Sequence, residues 1–377
     1  MNIVSTYTAQ CSDKKEFHII MSSKTIVLLA RPGLSDKGKI LINPHSALMM
    51  NITMPTWCVF DDTVDCEDSA ENFVKLYALD ILGYDVAIGY PMDNRSRLEF
   101  YRLGDVSAST VDNDAPFIWG MPTFLAPLHP DVGNTLYQHP AMTNFLDRTM
   151  AIFASPDDST CVGTIVGTGE HVSLQEFCEG QRRFVKQAGG KGFSQIINFP
   201  QKSDVIDVIF ENLEDFGGYY LPTLNVQSVV HPIWETRFFV VNNTIITSSG
   251  RIVSEFPKFD NNASGRYGIE QFSDGLHDDN ATVNPYFDIM FDYAQHIVDN
   301  MSATGESLHY VLDVAMHDDD DINAVGTPFV VETNGLSNSG LYDCDIMALA
   351  EAYALDQCDH PDATIGELWS IDSDVIR

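Results

Sequence analysis

Two apolar runs near the C-terminal end of the chain constrain its fold most. They are Tyr310-Val-Leu-Asp-Val-Ala315 and Phe329-Val-Val-Glu-Thr-Asn334, and each holds a carboxylate among residues that favour buried strands. Alternation along an extended chain puts Glu332 and Asn334 on one face. If the two strands pair, Asp313 from the first meets a carboxylate and an amide oxygen from the second. Oxygen donors of this kind suit magnesium, which keeps several waters and binds phosphate oxygens besides. Acids solvated at strand ends would explain Glu332 alone. Three such groups on adjacent strands favour a metal.

Periodicity places other elements around this pair. Thr25 to Ala30 reads as a strand, and Asp68 to Leu82 as a helix with Phe73, Leu76, Tyr77, Leu79 and Ile81 among its apolar positions, ended by Gly83. Asp112 to Pro140 is rich in Pro, Gly and Asp, and a domain boundary is expected near its end, dividing residues 1–139 from 140–377. A helix is expected over Pro140 to Phe153 and another from Ser173. Arg182 to Gln187 and Leu224 to Val230 read as strands, and Ser203 as the cap of an amphipathic helix carrying Val205, Ile206, Ile209 and Leu213. Arg237 to Val241 and Thr244 to Ser248 form a hairpin through Asn242-Asn243, since Asn tolerates positive φ. Helices at Tyr286 to Met301 and Cys344 to Asp356 flank strands at Leu308 to Met316 and Thr327 to Thr333. Helices on mostly antiparallel sheets make an α+β fold.

Cations stand where they need anions. Lys186 lies inside a strand that runs into Gly189-Gly190-Lys191-Gly192, whose backbone could approach phosphate closely. The G-x-x-x-x-G-K-[ST] spacing of a Walker A loop is absent, and a surface hairpin turn accounts for the glycines equally well. Arg237 opens an apolar strand and needs an anion too; Glu235 or another structural acid is one candidate, a ligand the other.

Composition narrows the partners. With 54 acidic residues against 21 Lys and Arg the formal net charge is −33, which works against a broad nucleic-acid surface. It does not exclude a nucleotide in a pocket with local cations and magnesium. Seven cysteines with no C-x-x-C pair suggest reduced thiols and a cytosol-like compartment. No stretch approaches the roughly 20 apolar residues of a membrane span, and no secretory leader is expected.

Taken in order, a strand lysine with a glycine-rich loop, an extended Asn225-Val-Gln-Ser-Val-Val230 segment, Glu235-Thr-Arg237, the Asp313 strand and Glu332-Thr-Asn334 resemble the ATP-grasp superfamily from about Pro140 onward. Asn334-Gly-Leu-Ser-Asn-Ser-Gly-Leu-Tyr342 is similar to the family's tail, and the whole resembles its divergent phage-type members. The resemblance implies two α+β subdomains that grip ATP between antiparallel sheets, beside an N-terminal α/β region. Lys186, Lys191, Gly190 and Gly192 would contact ATP phosphates, and Gln227 and Val229 would line the adenine hinge. Asp313, Glu332 and Asn334 would hold Mg2+, and Arg237 would stabilise the transferring phosphoryl group or acyl phosphate. Arg148 would contact phosphate where many members carry a lysine, a departure from the pattern.

The resulting expectation is a ligase joining a small-molecule or peptide carboxylate to an amine, through an acyl phosphate. A non-catalytic ATP-binding regulatory module and a viral structural protein are the alternatives. Three rival motifs are weaker. Asp321-x-Asn323 with Gly326 and Glu332 fails as an EF-hand, because Val325 and Pro328 break it. His317 with Asp318 to Asp321 reads as a solvated acidic loop. Gly163-x-x-x-Gly167-x-Gly169 precedes no clear helix.

Overall fold

The computed structural model describes residues 25–29, 39–42, 55–63, 66–91, 98–103, 111–112, 114–116, 119, 150–154, 161–187, 194–213, 223–229, 232–253, 269–272, 286–305, 308–317, 327–336, 339–341 and 344–359. At the N-terminal end run β1 (Thr25–Leu29), β2 (Ile40–Ile42), β3 (Cys58–Phe60), α1 (Cys66–Ile81), β4 (Asp85–Pro91) and β5 (Leu98–Arg102). β1 pairs parallel with β4, and β2 with β3. Parallel neighbours need a long crossover, and the β1–β4 connection contains α1. Gly83 follows α1 at φ 80°, a left-handed conformation that only glycine adopts freely, so the helix stops where the sequence predicts.

Two antiparallel sheets follow. The first contains β6 (Met150–Phe153), β7 (Val162–Ile165), β8 (His171–Ser173), β9 (Arg182–Gln187), β10 (Ser194–Asn198) and β11 (Leu224–Ser228), in the order β10-β9-β11-β6-β7-β8. Helices α2 (Leu174–Cys178) and α3 (Val205–Leu213) cover one face, burying Phe153, Val185, Ile197, Leu224 and Val226 against Leu174 and Ile209. The second contains β12 (Pro232–Val241), β13 (Thr244–Val253), β14 (Ile269–Phe272), β15 (Tyr310–His317) and β16 (Pro328–Gly335), in the order β14-β13-β12-β15-β16. Helices α4 (Phe287–Ser302) and α5 (Ile346–Asp359) complete the chain's described elements, and the architecture is α+β.

Alternation decides what each face of the second sheet meets. Phe238, Val240, Leu312, Val314 and Met316 pack on Met290, Ala294, Ile297, Val298 and Met301 of α4. A fully buried side chain of this size contributes about 1.5–3 kcal/mol, so α4 firmly claims this face. On the other face Phe239, Val241 and Val311 join α5 and the N-terminal core around Ile26, Phe73 and Leu76. Asn242 and Asn243, at φ 47° and 55°, make the expected two-residue hairpin.

Two expectations need correction. The residues Met150–Phe153 form a strand, not the end of a helix; residues 140–149 lie outside the described ones. Ala151 and Phe153 enter one core while Met150 enters another, so the run is apolar throughout and periodicity cannot tell its two possible forms apart. Asp204, not Ser203, caps α3. Its carboxylate accepts from the Ile206 amide at 2.9 Å, while the Ser203 hydroxyl donates to the Pro200 carbonyl at 2.6 Å.

Candidate functional site

The face of the second sheet opposite α4 turns polar beyond Phe239. Arg237 of β12 lies opposite Ser249 of β13 and Asp313 of β15, and Asp313 lies opposite Glu332 of β16. Cross-strand partners share a face, so Ser249, Arg237, Asp313 and Glu332 make one row across four strands. The register between β15 and β16 shifts just past Asp313, where Val314 meets Val330. This bulge leaves Val331 as an extra residue and puts Glu332 and Asn334 on the Asp313 face.

Arg237 finds its anion in this row. Nε donates to Asp313 Oδ1 at 2.8 Å and Nη2 to Oδ2 at 2.7 Å, a two-pronged contact suited to the planar guanidinium. Nη1 donates to the Gly340 carbonyl at 3.0 Å, tying the segment after β16 to the sheet. Asp313 is buried, with 1% side-chain exposure, so its charge depends on this partner.

Lys186 comes from the first sheet. Its neighbour Val185 points into the core beneath α2 and α3, so Lys186 emerges on the opposite face, toward the second sheet. There Nζ donates to Glu332 Oε2 at 2.7 Å across 146 residues of sequence. Asn334 Nδ2 donates to Glu332 Oε1 at 2.9 Å. Burial works to raise the Glu332 pKa. The Lys186 charge and hydrogen bond, the Asn334 amide and the Arg237 charge outweigh it and hold the carboxyl at about 2.

β11 adds a second row on the Lys186 side. Asn225 lies opposite Lys186 on β9 and Ile152 on β6, and Gln227 lies opposite Phe184. Gln227 and Val229 are half-buried. Asn225 is 1% exposed, and neither atom of its amide has a hydrogen-bond partner among the described residues. Sequence reasoning names Gln227 and Val229 and passes over Asn225. The signal was present in Leu-Asn-Val-Gln: Leu224 and Val226 face one way, leaving Asn225 to share a face with Gln227.

The structure thus gathers Lys186, Arg237, Asp313, Glu332 and Asn334 into one cluster that joins the two sheets. Arg148, Gly190, Lys191 and Gly192 lie outside the described residues, as do residues 318–326 of the rejected loop motifs. Gly163-x-x-x-Gly167-x-Gly169 begins inside β7 and runs into the turn before β8, not into a helix.

A magnesium ion fits part of this donor set. Among the described residues no three His, Cys, Asp or Glu side chains gather as a metal-binding group. Magnesium commonly takes only one or two protein carboxylates, completing its shell with water and phosphate. Glu332, ionised down to low pH, and the Asn334 amide offer such oxygens. The Asp313 oxygens both accept from Arg237, as those of Glu332 accept from Lys186 and Asn334, so a metal would take the lone pairs that remain on either carboxylate.

No protein-family model matches the chain, and no curated protein matches it. Among solved structures the chain is similar to the ATP-grasp ligase PsnB complexed with minimal precursor, at 14% identity and a TM-score of 0.29, over 47% of this chain and 48% of that one. The match therefore spans about half the length of PsnB. It is also similar to D-alanine–D-alanine ligase from Bacillus anthracis complexed with ATP, at 10% identity and TM-score 0.42, over 94% and 95% of the two chains. D-cycloserine synthetase DcsG shares 13% identity and a TM-score of 0.44, over 75% of this chain and 93% of that one. These TM-scores are low, and the chemistry of the site rests on its own geometry.

Proposed function

We propose that this chain is an ATP- and magnesium-dependent ligase of the ATP-grasp type. It holds ATP between its two antiparallel sheets and joins a small-molecule or peptide carboxylate to an amine or other nucleophile. The observation that carries this reading is the Lys186–Glu332 contact, which sets a phosphate-seeking cation from one sheet against a metal-seeking carboxylate from the other.

Each residue's part follows from its charge and anchoring. Lys186 would exchange one anion for another, moving from Glu332 to a phosphate, with Lys191, Arg148 and the backbone at Gly190 and Gly192 as further phosphate contacts. Gln227 and Val229 would line the adenine. Glu332 is already ionised at neutral pH, so it need release no proton to take a cation, and Asn334 stands beside it. Bound magnesium would neutralise charge on the phosphate oxygens. Arg237, locked on Asp313 and the Gly340 carbonyl, would hold positive charge in a fixed place near the reacting carboxylate. Asp313 would act both as that anchor and as a metal ligand.

The carboxylate would attack the γ-phosphorus and release ADP, giving an acyl phosphate. The amine would then attack the acyl carbon, lose a proton and expel phosphate. Positioning and charge neutralisation carry such a reaction, so no side-chain nucleophile is required. Residues 1–139 would supply substrate contacts to a 140–377 catalytic unit. Cys58 and Cys178 are free thiols, which fits a reducing compartment such as the cytoplasm. Among the described residues no helix is long and apolar enough to cross a membrane.

The test is ADP release measured with Mg-ATP across a panel of amino acids and short peptides, offered as acid and amine together. Release that requires magnesium and rises with one acid–amine pair is expected. Absence of Mg-ATP binding by calorimetry would end the proposal.

A further inference from the structure

The Asn225 amide has no assigned part in the reading above, yet it is the most exceptional polar group on the Lys186 face. It is 1% exposed, and its Nδ2 and Oδ1 both lack a partner among the described residues. A buried amide left unpaired is destabilising, because it gave up water and received nothing in return. A leucine here would fill similar space without that penalty. Its position is equally informative. Asn225 is the direct cross-strand neighbour of Lys186, whose ammonium reaches the opposite sheet, and it stands two residues before Gln227 on the same face. Apolar Ile152 flanks it on β6.

We propose that Asn225 reads the N6–N7 edge of adenine and is the residue that selects ATP over GTP. This rests on the ATP reading of the cleft. An amide offers one donor and one acceptor side by side. Adenine presents the complement on that edge, an N6 amino donor beside the N7 acceptor; guanine presents two acceptors there, O6 and N7. Asn225 Nδ2 donates to N7, and Oδ1 accepts from N6. Ile152 gives the base an apolar neighbour, and Lys186 on the next strand is placed for the phosphates. The side chain's poor hydrogen bonding in the protein alone becomes a selective device, since only a matching base edge satisfies both atoms.

Calorimetric titration of the full chain with Mg-ATP, Mg-7-deaza-ATP and Mg-GTP tests this, alongside the variant Asn225→Leu. Wild type should bind Mg-ATP about tenfold more tightly than Mg-7-deaza-ATP, which lacks only the N7 acceptor, and should bind Mg-GTP at least as weakly. Asn225→Leu should lose about tenfold or more toward Mg-ATP and no longer distinguish it from the 7-deaza analogue. Wild type binding ATP and 7-deaza-ATP equally would overturn the assignment to Asn225 and leave the ATP reading standing. So would a leucine variant that keeps the wild-type preference. Wild type binding no Mg-ATP would overturn both. Should the leucine variant not fold, the comparison of nucleotides on wild type still decides.

Discussion

Replacing Glu332 by Gln removes one charge from the centre of the cluster and keeps the side chain's shape. The Asn334 amide still meets an oxygen, so the change isolates the Lys186 interaction. In the folded protein the Glu332 carboxyl titrates at about 2, against an ordinary 4.5. At 1.36 kcal/mol per pKa unit that difference sets an upper bound of about 3 kcal/mol on the stability this charge contributes at neutral pH. The Lys186 and Glu332 side chains keep 14% and 30% exposure, and water reaching them reduces the figure, so about 1–3 kcal/mol is expected. The sign sets the pH window. A carboxyl with a lowered folded pKa contributes fully above its unfolded value, near 4.5, and the contribution disappears as pH falls toward about 2. Urea denaturation of wild type and Glu332→Gln from pH 7 down to 3 should therefore show a stability gap that narrows below about pH 4.5. Lys186→Met and the double variant complete the cycle, with a coupling energy of about 1 kcal/mol or more. A gap that stays constant with pH, or no gap at pH 7, would refute the charge pairing. In turnover assays the same glutamine variant should lose kcat more completely than it loses ATP affinity, because metal charge counts most in the transition state.

Lys186→Ala should weaken Mg-ATP binding by about tenfold or more and also lower the melting temperature without nucleotide, since it strands Glu332; survival of full ATP affinity would remove Lys186 from the binding role. Arg237→Lys cannot span both Asp313 oxygens and the Gly340 carbonyl, so a loss of about 2 kcal/mol is expected in thermal or urea melts; a melting temperature equal to wild type would show that the fork is unimportant. Gly163→Ala would put a Cβ 2.3 Å from Phe153 Cδ1 and 2.6 Å from the Ile152 carbonyl oxygen. A backbone oxygen cannot yield cheaply, so destabilisation of about 1–3 kcal/mol should appear in the same melts, and a neutral result would mean that β6 and β7 sit farther apart.

Local pattern made much of the fold and part of the site legible. Alternation put Glu332 and Asn334 on one face, and two adjacent apolar strands implied that Asp313 would meet them, as the pairing of Asp313 with Glu332 shows. The Asn242-Asn243 turn and the Gly83 stop follow from backbone preferences of single residues. The Met150–Phe153 strand did not follow, because a run that is buried on both sides carries no period.

The sequence by itself determined which residues share a face, since side-chain direction along a strand or helix depends only on spacing. It also determined that Lys186 and Arg237 needed anions, because a cation among apolar neighbours is costly without one. Which anions they found was decided by tertiary structure alone. Arg237 took Asp313, 76 residues away, through the β12–β15 register. Lys186 took Glu332, 146 residues away, because the faces left uncovered by α2, α3 and α4 are turned toward each other at that point. The unpaired amide of Asn225 belongs to the same class of fact. A polar residue in a strand is ordinary in a sequence, and only tertiary packing around it removes the water that would have satisfied it.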